Sequence, residues 1–178
     1  PETLRTALLE IVSEIRALEA RMKTIEIELK RYASTSRDVQ AIQRVPGIGL
    51  LTATALVSAV GSPDNFRDGR HLAAWMGLTP RHTGSGHRMH LGGISKRGDR
   101  YLRMLLIHGA RSVLIRAQIN AKAGRTLNRL QQWAMDLKQR SNHNKATCAL
   151  ANKLARIAWA VWAHDRDFDG NHSIALAA

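Results

Sequence analysis

The stretch VPGIGLLTATALVSAVG, residues 45–61, decides how the chain is read. Pro46, Gly47 and Gly49 make a tight turn, and Leu50 to Val60 is then apolar and helical until Gly61 stops it. A short helix runs up to Val45, so the turn joins two helices. Gly47 and Gly49 carry no side chains, which lets backbone N–H groups at the second helix's N-terminus meet an anion. The same turn chemistry also serves packing alone.

Upstream, Leu4, Leu8, Ile11, Ile15, Leu18, Met22, Ile25, Leu29 and Tyr32 are spaced by alternating steps of four and three. That is a heptad seam sustained for about four heptads, the pattern of a long helix in a coiled coil. In a parallel dimer the flanking positions set Glu14 against Glu19 and Arg21 against Glu26, one repulsive pair and one attractive. Helix orientation therefore stays open, as does the alternative of a long helix packing inside its own chain. Ser34-Thr35-Ser36 ends this helix.

Downstream, residues 61–68 form a turn region with Pro63, and Arg70 to Met76 a short helix. GLTPRHTGSGHRMHLGGISKRGDRYLR, residues 77–103, follows with six Gly, six Lys or Arg, three His and one acid. A short hairpin within residues 87–94 is the one place for strands. Helix resumes near Lys96 or Arg97 and runs to about Ile119. Its core stripe is Leu102, Leu105, Leu106, Gly109, Ala110, Val113 and Ala117, with Arg97, Arg100, His108 and Arg111 opposite. Two more helices, Thr126–Lys138 and Ala146–Ala163, flank a loop at residues 141–145.

The formal net charge of +13 is unevenly placed. Residues 1–36 hold six basic and six acidic side chains, so the whole excess lies beyond them. Ten basic residues between Arg81 and Arg125 face only Asp99. Such a field favours a polyanion, nucleic acid first, over a merely solvated surface. Cys148 is the only cysteine, which excludes an internal disulfide and a Cys-based zinc site. Lys153 and Arg156 interrupt the longest apolar region, so no segment spans a membrane. The chain begins at Pro1 without a Met, which suggests a piece of something longer.

Ser85 lies between Gly84 and Gly86, with Arg81 and Arg88 near in sequence. A serine hydroxyl needs a base or a field to become a nucleophile. Guanidinium groups on non-bridging phosphate oxygens supply such a field and stabilise the transition state. Spacing alone favours the quieter reading, a serine in a flexible phosphate-binding loop. Ser95 is the rival nucleophile, though its place at a helix start makes it an N-cap first. Thr83 is weaker. His82, His87 and His90 lack a fourth ligand for zinc. Asp165, Asp167, Asp169 and Gly170 imitate a calcium loop, but Leu176 stands where a Glu must close it. These acids are expected on a frayed helix end.

The 45–61 turn resembles the helix-hairpin-helix of DNA-repair and junction-binding proteins. Together with FRDGRHLAAWMGLTPRHTGSG, GGISKRGDRYLRMLLIHGARSVL and NKATCALANKLARIAWAVW, it resembles one family across roughly residues 40–168. That family is the bacterial insertion-sequence transposases whose target choice is guided by a bridge RNA. The resemblance implies an N-terminal RuvC-type domain with four acidic residues and Mg2+, then a coiled coil, then a helical domain whose serine forms a phosphoserine with DNA. That serine maps onto Ser85, which reverses the order of the two readings. No residue here matches the four acids, so this chain is expected to bind no cofactor itself and to be incomplete for strand exchange.

The expectation is an all-α protein: residues 1–36 a coiled-coil assembly helix, residues 37–170 a compact helical domain with a helix-hairpin-helix at 41–60, and residues 171–178 a flexible tail. Ser85 is the expected nucleophile of DNA cleavage and rejoining. Arg81, Arg88, Lys96, Arg97, Arg100, Gly47 and Gly49 are the expected phosphate contacts, and no metal site is expected. Expected partners are DNA, a guide RNA and further copies through residues 4–32, with no membrane, in the bacterial cytoplasm at the nucleoid. The rival is a non-catalytic helix-hairpin-helix module that assembles on DNA or RNA.

Overall fold

A computed structural model describes residues 1–84 and 90–171. It divides into two compact units, Pro1–Arg37 and the residues from Asp38 onward. The first is a single helix, α1 (Glu2–Thr35), of 34 residues, about 51 Å by helical rise. Its seam is exposed: Leu4, Leu8, Ile11, Ile15, Leu18, Met22, Ile25 and Tyr32 all face solvent. The end comes where the Ser-Thr-Ser run stands. The hydroxyls of Ser34 and Thr35 donate to the carbonyls of Arg31 and Tyr32 at 2.7 and 3.0 Å, and the Ser36 N–H also donates to Tyr32.

The second unit contains all but the first residue of α2 (Arg37–Gln43), then α3 (Leu50–Val60), a 3-10 turn at Pro63–Asn65, and α4 (Gly69–Trp75). A hairpin of β1 (Pro80–Thr83) and β2 (His90–Ile94) follows, then α5 (Arg100–Lys122), α6 (Arg129–Gln139) and α7 (His143–Ala163). The protein is mostly α, as its patterning implies, with one small sheet. The strands pair antiparallel, Pro80 with Ile94 and Thr83 with His90, with an irregularity at Arg81. The hairpin thus begins well upstream of residue 87. Its upstream strand reads PRHT, exposed throughout, and so carries no alternating apolar signal.

Helices α5 and α7 form the centre, with α4 on α7, α6 against both, and α3 on α5. Leu102, Leu106 and Leu114 of α5 and Leu150 and Leu154 of α7 are fully buried in the core where these two helices pack. The buried alanines 146, 151, 155 and 158 of α7 let its neighbours approach closely. At Gly69 the start of α4 presses on α7, because an added Cβ would lie 2.9 Å from the Arg156 Cα.

Four helix starts have side-chain caps, each satisfying an otherwise orphaned N–H. Asp68 accepts from His71, Asp99 from Leu102, Asn128 from Gln131 and Asn142 from Lys145, at 2.7 to 2.9 Å. Three of these move helix starts expected from periodicity by three residues or more; Asn128, for one, starts α6 at Arg129 rather than at Thr126. Helix α5 starts at Arg100, since Asp99 is its cap and Lys96 (φ 56°) and Gly98 (φ 111°) cannot continue a helix. Ser95 is accordingly no N-cap; its N–H donates to the Thr79 carbonyl at 2.8 Å. Helix α7 starts at His143, inside the segment expected as loop.

The acids after α7 do not lie on a frayed end. The Arg166 N–H returns to the Val161 carbonyl, and Asp167 pairs with Arg44. The Gly170 carbonyl accepts from the Leu130 N–H at 3.1 Å and Asn171 accepts from Arg129, pinning the segment to the start of α6.

Candidate nucleic-acid interface

The glycine-rich stretch is organised from its base. Gly77 and Gly98 both have positive φ, 70° and 111°, and each is in backbone contact with the other's strand of chain. A Cβ on Gly77 would overlap the Arg97 carbonyl oxygen, and one on Gly98 would overlap that of Trp75. Only glycine allows both approaches. The contact is extended by hydrogen bonds from the Lys96 N–H to Gly77 and from the Ser95 N–H to Thr79. The ladder of β1 and β2 then continues outward.

Two polar side chains brace this base from the helices. Arg103, 9% exposed, donates from Nη1 to the Met76 carbonyl at 2.9 Å and to the Asp99 carbonyl at 3.4 Å. Asn152 of α7 donates to the Leu78 carbonyl at 3.3 Å. Sequence reasoning missed both, because their acceptors are backbone carbonyls 27 and 74 residues away. The one available signal was an arginine on the apolar side of α5, next to Leu102 and Leu106.

Ser85 and Arg88 lie outside the described residues, as do His87 and the tail after Asn171. The described residues on either side of them are Gly84 and His90. Arg81, Lys96, Arg97 and Arg100 are exposed. Arg81 lies over Gly92, with the Gly92 Cβ position 3.6 Å from the Arg81 Cβ. Among the described residues no carboxylate pairs with these four cations. The nearest acid in sequence, Asp99, is engaged as the α5 cap. The hairpin and its base therefore present positive charge without internal neutralisation.

The two turn glycines part company. Gly47 (φ 83°) is packed: an added Cβ would lie 2.7 Å from the Gly109 carbonyl oxygen and 2.8 Å from a Val113 methyl. Its glycine identity thus has a packing cause. Gly49 is the uncapped start of α3, exposed and with open space around it. Gly109, against which Gly47 packs, is nine residues along α5 from Arg100, about 14 Å of helical rise. One helix thus spaces the α2–α3 turn from the hairpin base.

His82 and His90 are exposed on the hairpin, and no group of three metal-ligating side chains exists among the described residues. The hydrogen bond from the His71 N–H holds the Asp68 carboxyl below its ordinary range. Burial raises the Cys148 thiol, against opposing pulls from Arg111 and Lys96. Burial chiefly lowers Lys153, whose ammonium sits 4.2 Å from the Trp133 ring centre.

Fold and surface together define a basic, mostly helical domain that holds out a cationic, glycine-rich hairpin. Residues 39–126 match the family described as "Transposase IS116/IS110/IS902 family", so the chain carries a transposase domain of that family. It is 41% identical over 161 residues to a "Probable family 20 transposase" of Pseudomonas aeruginosa, covering 90% of this chain and 46% of that one. It is 44% identical over 136 residues to the "Transposase for insertion sequence element IS1111A" of Coxiella burnetii, covering 76% of this chain and 36% of that one. A "Pilin gene-inverting protein" of Moraxella bovis is 32% identical over 127 residues, 70% of this chain and 37% of its own. The chain spans less than half the length of these relatives.

Proposed function

We propose that this chain is the strand-exchanging portion of a DNA transposase, with Ser85 as its nucleophile. The observation that carries the proposal is the braced hairpin. Gly77, Gly98, Arg103 and Asn152 fix the base, while unneutralised cations flank a loop with a serine between glycines. In the reaction the Ser85 hydroxyl attacks phosphorus and a phosphoserine ester forms. The displaced strand leaves as a free hydroxyl, taking up the proton that serine gives up. Attack by a second strand's hydroxyl reverses the step and rejoins DNA, so no ATP is consumed. Arg81, Arg88, Lys96, Arg97 and Arg100 hold the phosphates and draw charge from the non-bridging oxygens.

The Mg2+ of the family resemblance does not fit the residues present. The one acid in the sequence of residues 77–103, Asp99, is committed to the Leu102 N–H, and magnesium requires oxygen ligands of that kind. DNA is the proposed substrate, and relatives named as transposases and a gene-inverting protein support it. Further copies joined through the α1 seam and a guide RNA are the proposed partners, at the nucleoid in the bacterial cytoplasm. No described helix is long and apolar enough to cross a membrane.

A second reading, a non-catalytic helix-hairpin-helix module, draws on the open N-terminus of α3 at Gly49. Trapping on nicked DNA separates the two in the full-length protein. Ser85→Ala is expected to abolish the covalent protein–DNA adduct while Ser95→Ala retains it. An adduct that survives in Ser85→Ala but disappears in Ser95→Ala would sink the assignment.

A further inference from the structure

Helix α4 has an exposed face that the proposed chemistry leaves unused. Arg70, His71, Ala74 and Trp75 are all exposed on it, with Arg67 exposed just before. The Trp75 ring is held while 38% of the residue remains open to solvent. Its support is buried Phe66, whose ring meets Trp75 edge to face at 5.5 Å and His71 at 5.3 Å. The Trp75 backbone is fixed too, since Gly98 lies directly against its carbonyl. That contact brings exposed Arg97, one residue from Gly98, to the end of the same helix.

We infer that this face, centred on Trp75, is a stacking platform for an unpaired base of a DNA strand. The inference rests on the proposed strand exchange, during which bases next to the cleaved phosphate lose their partners. A locked, exposed indole loses little freedom when a base covers it, and base–aromatic stacking tolerates any sequence. The surroundings select the partner. Arg67, Arg70 and Arg97 offer guanidinium groups to flanking phosphates, and an apolar protein surface would have to strip water from all three. Asp68 offsets this only in part: its carboxylate caps α4 and lies 3.7 Å from Arg67. The position is also apt, because residues 75 and 98 form the base of the very hairpin that carries Ser85.

The probe is a short oligothymidylate added to the full chain, read by tryptophan fluorescence and by direct binding. Stacking on Trp75 is expected to quench emission in the wild type. Trp75→Phe, which keeps an aromatic on Phe66, is expected to lose that quench although Trp133, Trp159 and Trp162 remain. Trp75→Leu is expected to weaken oligothymidylate binding roughly tenfold, with duplex affinity and helical content unchanged. An undiminished quench in Trp75→Phe, or unchanged oligothymidylate affinity in Trp75→Leu, would overturn the inference. Oligouridylate bound tenfold more tightly than oligothymidylate would make RNA the occupant and overturn it equally. If wild type forms no covalent adduct yet the quench depends on Trp75, the nucleophile reading fails and the platform stands.

Discussion

Gly98 shows how much one residue can hold in place. Its φ of 111° and its contact with the Trp75 carbonyl admit no Cβ. Gly98→Ala must therefore break the contact or strain the backbone by about 1–3 kcal/mol. Urea unfolding is expected to show a loss of that size, and adduct formation should fall further than stability does, because the hairpin base is displaced. Arg103→Met tests the same base from the other side. It leaves the buried Met76 carbonyl without its donor, at about 1–3 kcal/mol. A Gly98→Ala protein as stable and as active as wild type would show that the base is not the support. At this scale the sequence was only half legible. The density of glycine and arginine in residues 77–103 marks the place, and Ser85 is conspicuous there. Which glycines are structural depends on backbone approaches between residues 20 or more apart, and no local pattern encodes those.

Elements were read more successfully than residues, and the reason is periodicity. Helix α3 begins and ends where the turn residues and Gly61 place it, because glycine and proline act locally. The starts of α5, α6 and α7 depart from the periodicity for a different reason: Asp99, Asn128 and Asn142 compete as caps with neighbours equally suited by composition, and positive φ at Lys96 is set by tertiary contact. Helix α1 gives the strongest periodic signal. This 34-residue helix leaves eight large seam residues exposed, and packing of such an apolar face is where most helical stability in proteins comes from. If copies join through the seam as proposed, one carboxylate at its middle, Leu18→Asp, is expected to lower the assembly by at least one dimerisation step in sedimentation equilibrium. The same change at the outward position Ser13→Asp should leave the association intact. Equal behaviour of the two variants would mean that the seam is not what copies share.

Across the whole molecule, charge separates along the chain: α1 is neutral overall and the excess of +13 resides beyond residue 36. This was legible from composition alone, but its placement was not. The structure shows that Arg103 is spent on backbone carbonyls and Arg44 on Asp167, whereas Arg81, Lys96, Arg97 and Arg100 remain exposed without carboxylate partners among the described residues. Total charge therefore overstates what a phosphate backbone can meet. Each cation that neutralises a phosphate releases about 0.9 of a condensed counterion from duplex DNA, and the logarithm of affinity falls with the logarithm of salt in proportion. Replacing Arg81, Arg97 and Arg100 together by Ala should reduce that slope by roughly three. Arg103→Met, which removes the same charge from the interior, should leave the slope unchanged while costing stability. The measurement is duplex binding by fluorescence anisotropy over a salt series. Should Arg103→Met lower the slope as much as each of the exposed arginines does, charge in bulk rather than the hairpin surface would be what holds DNA.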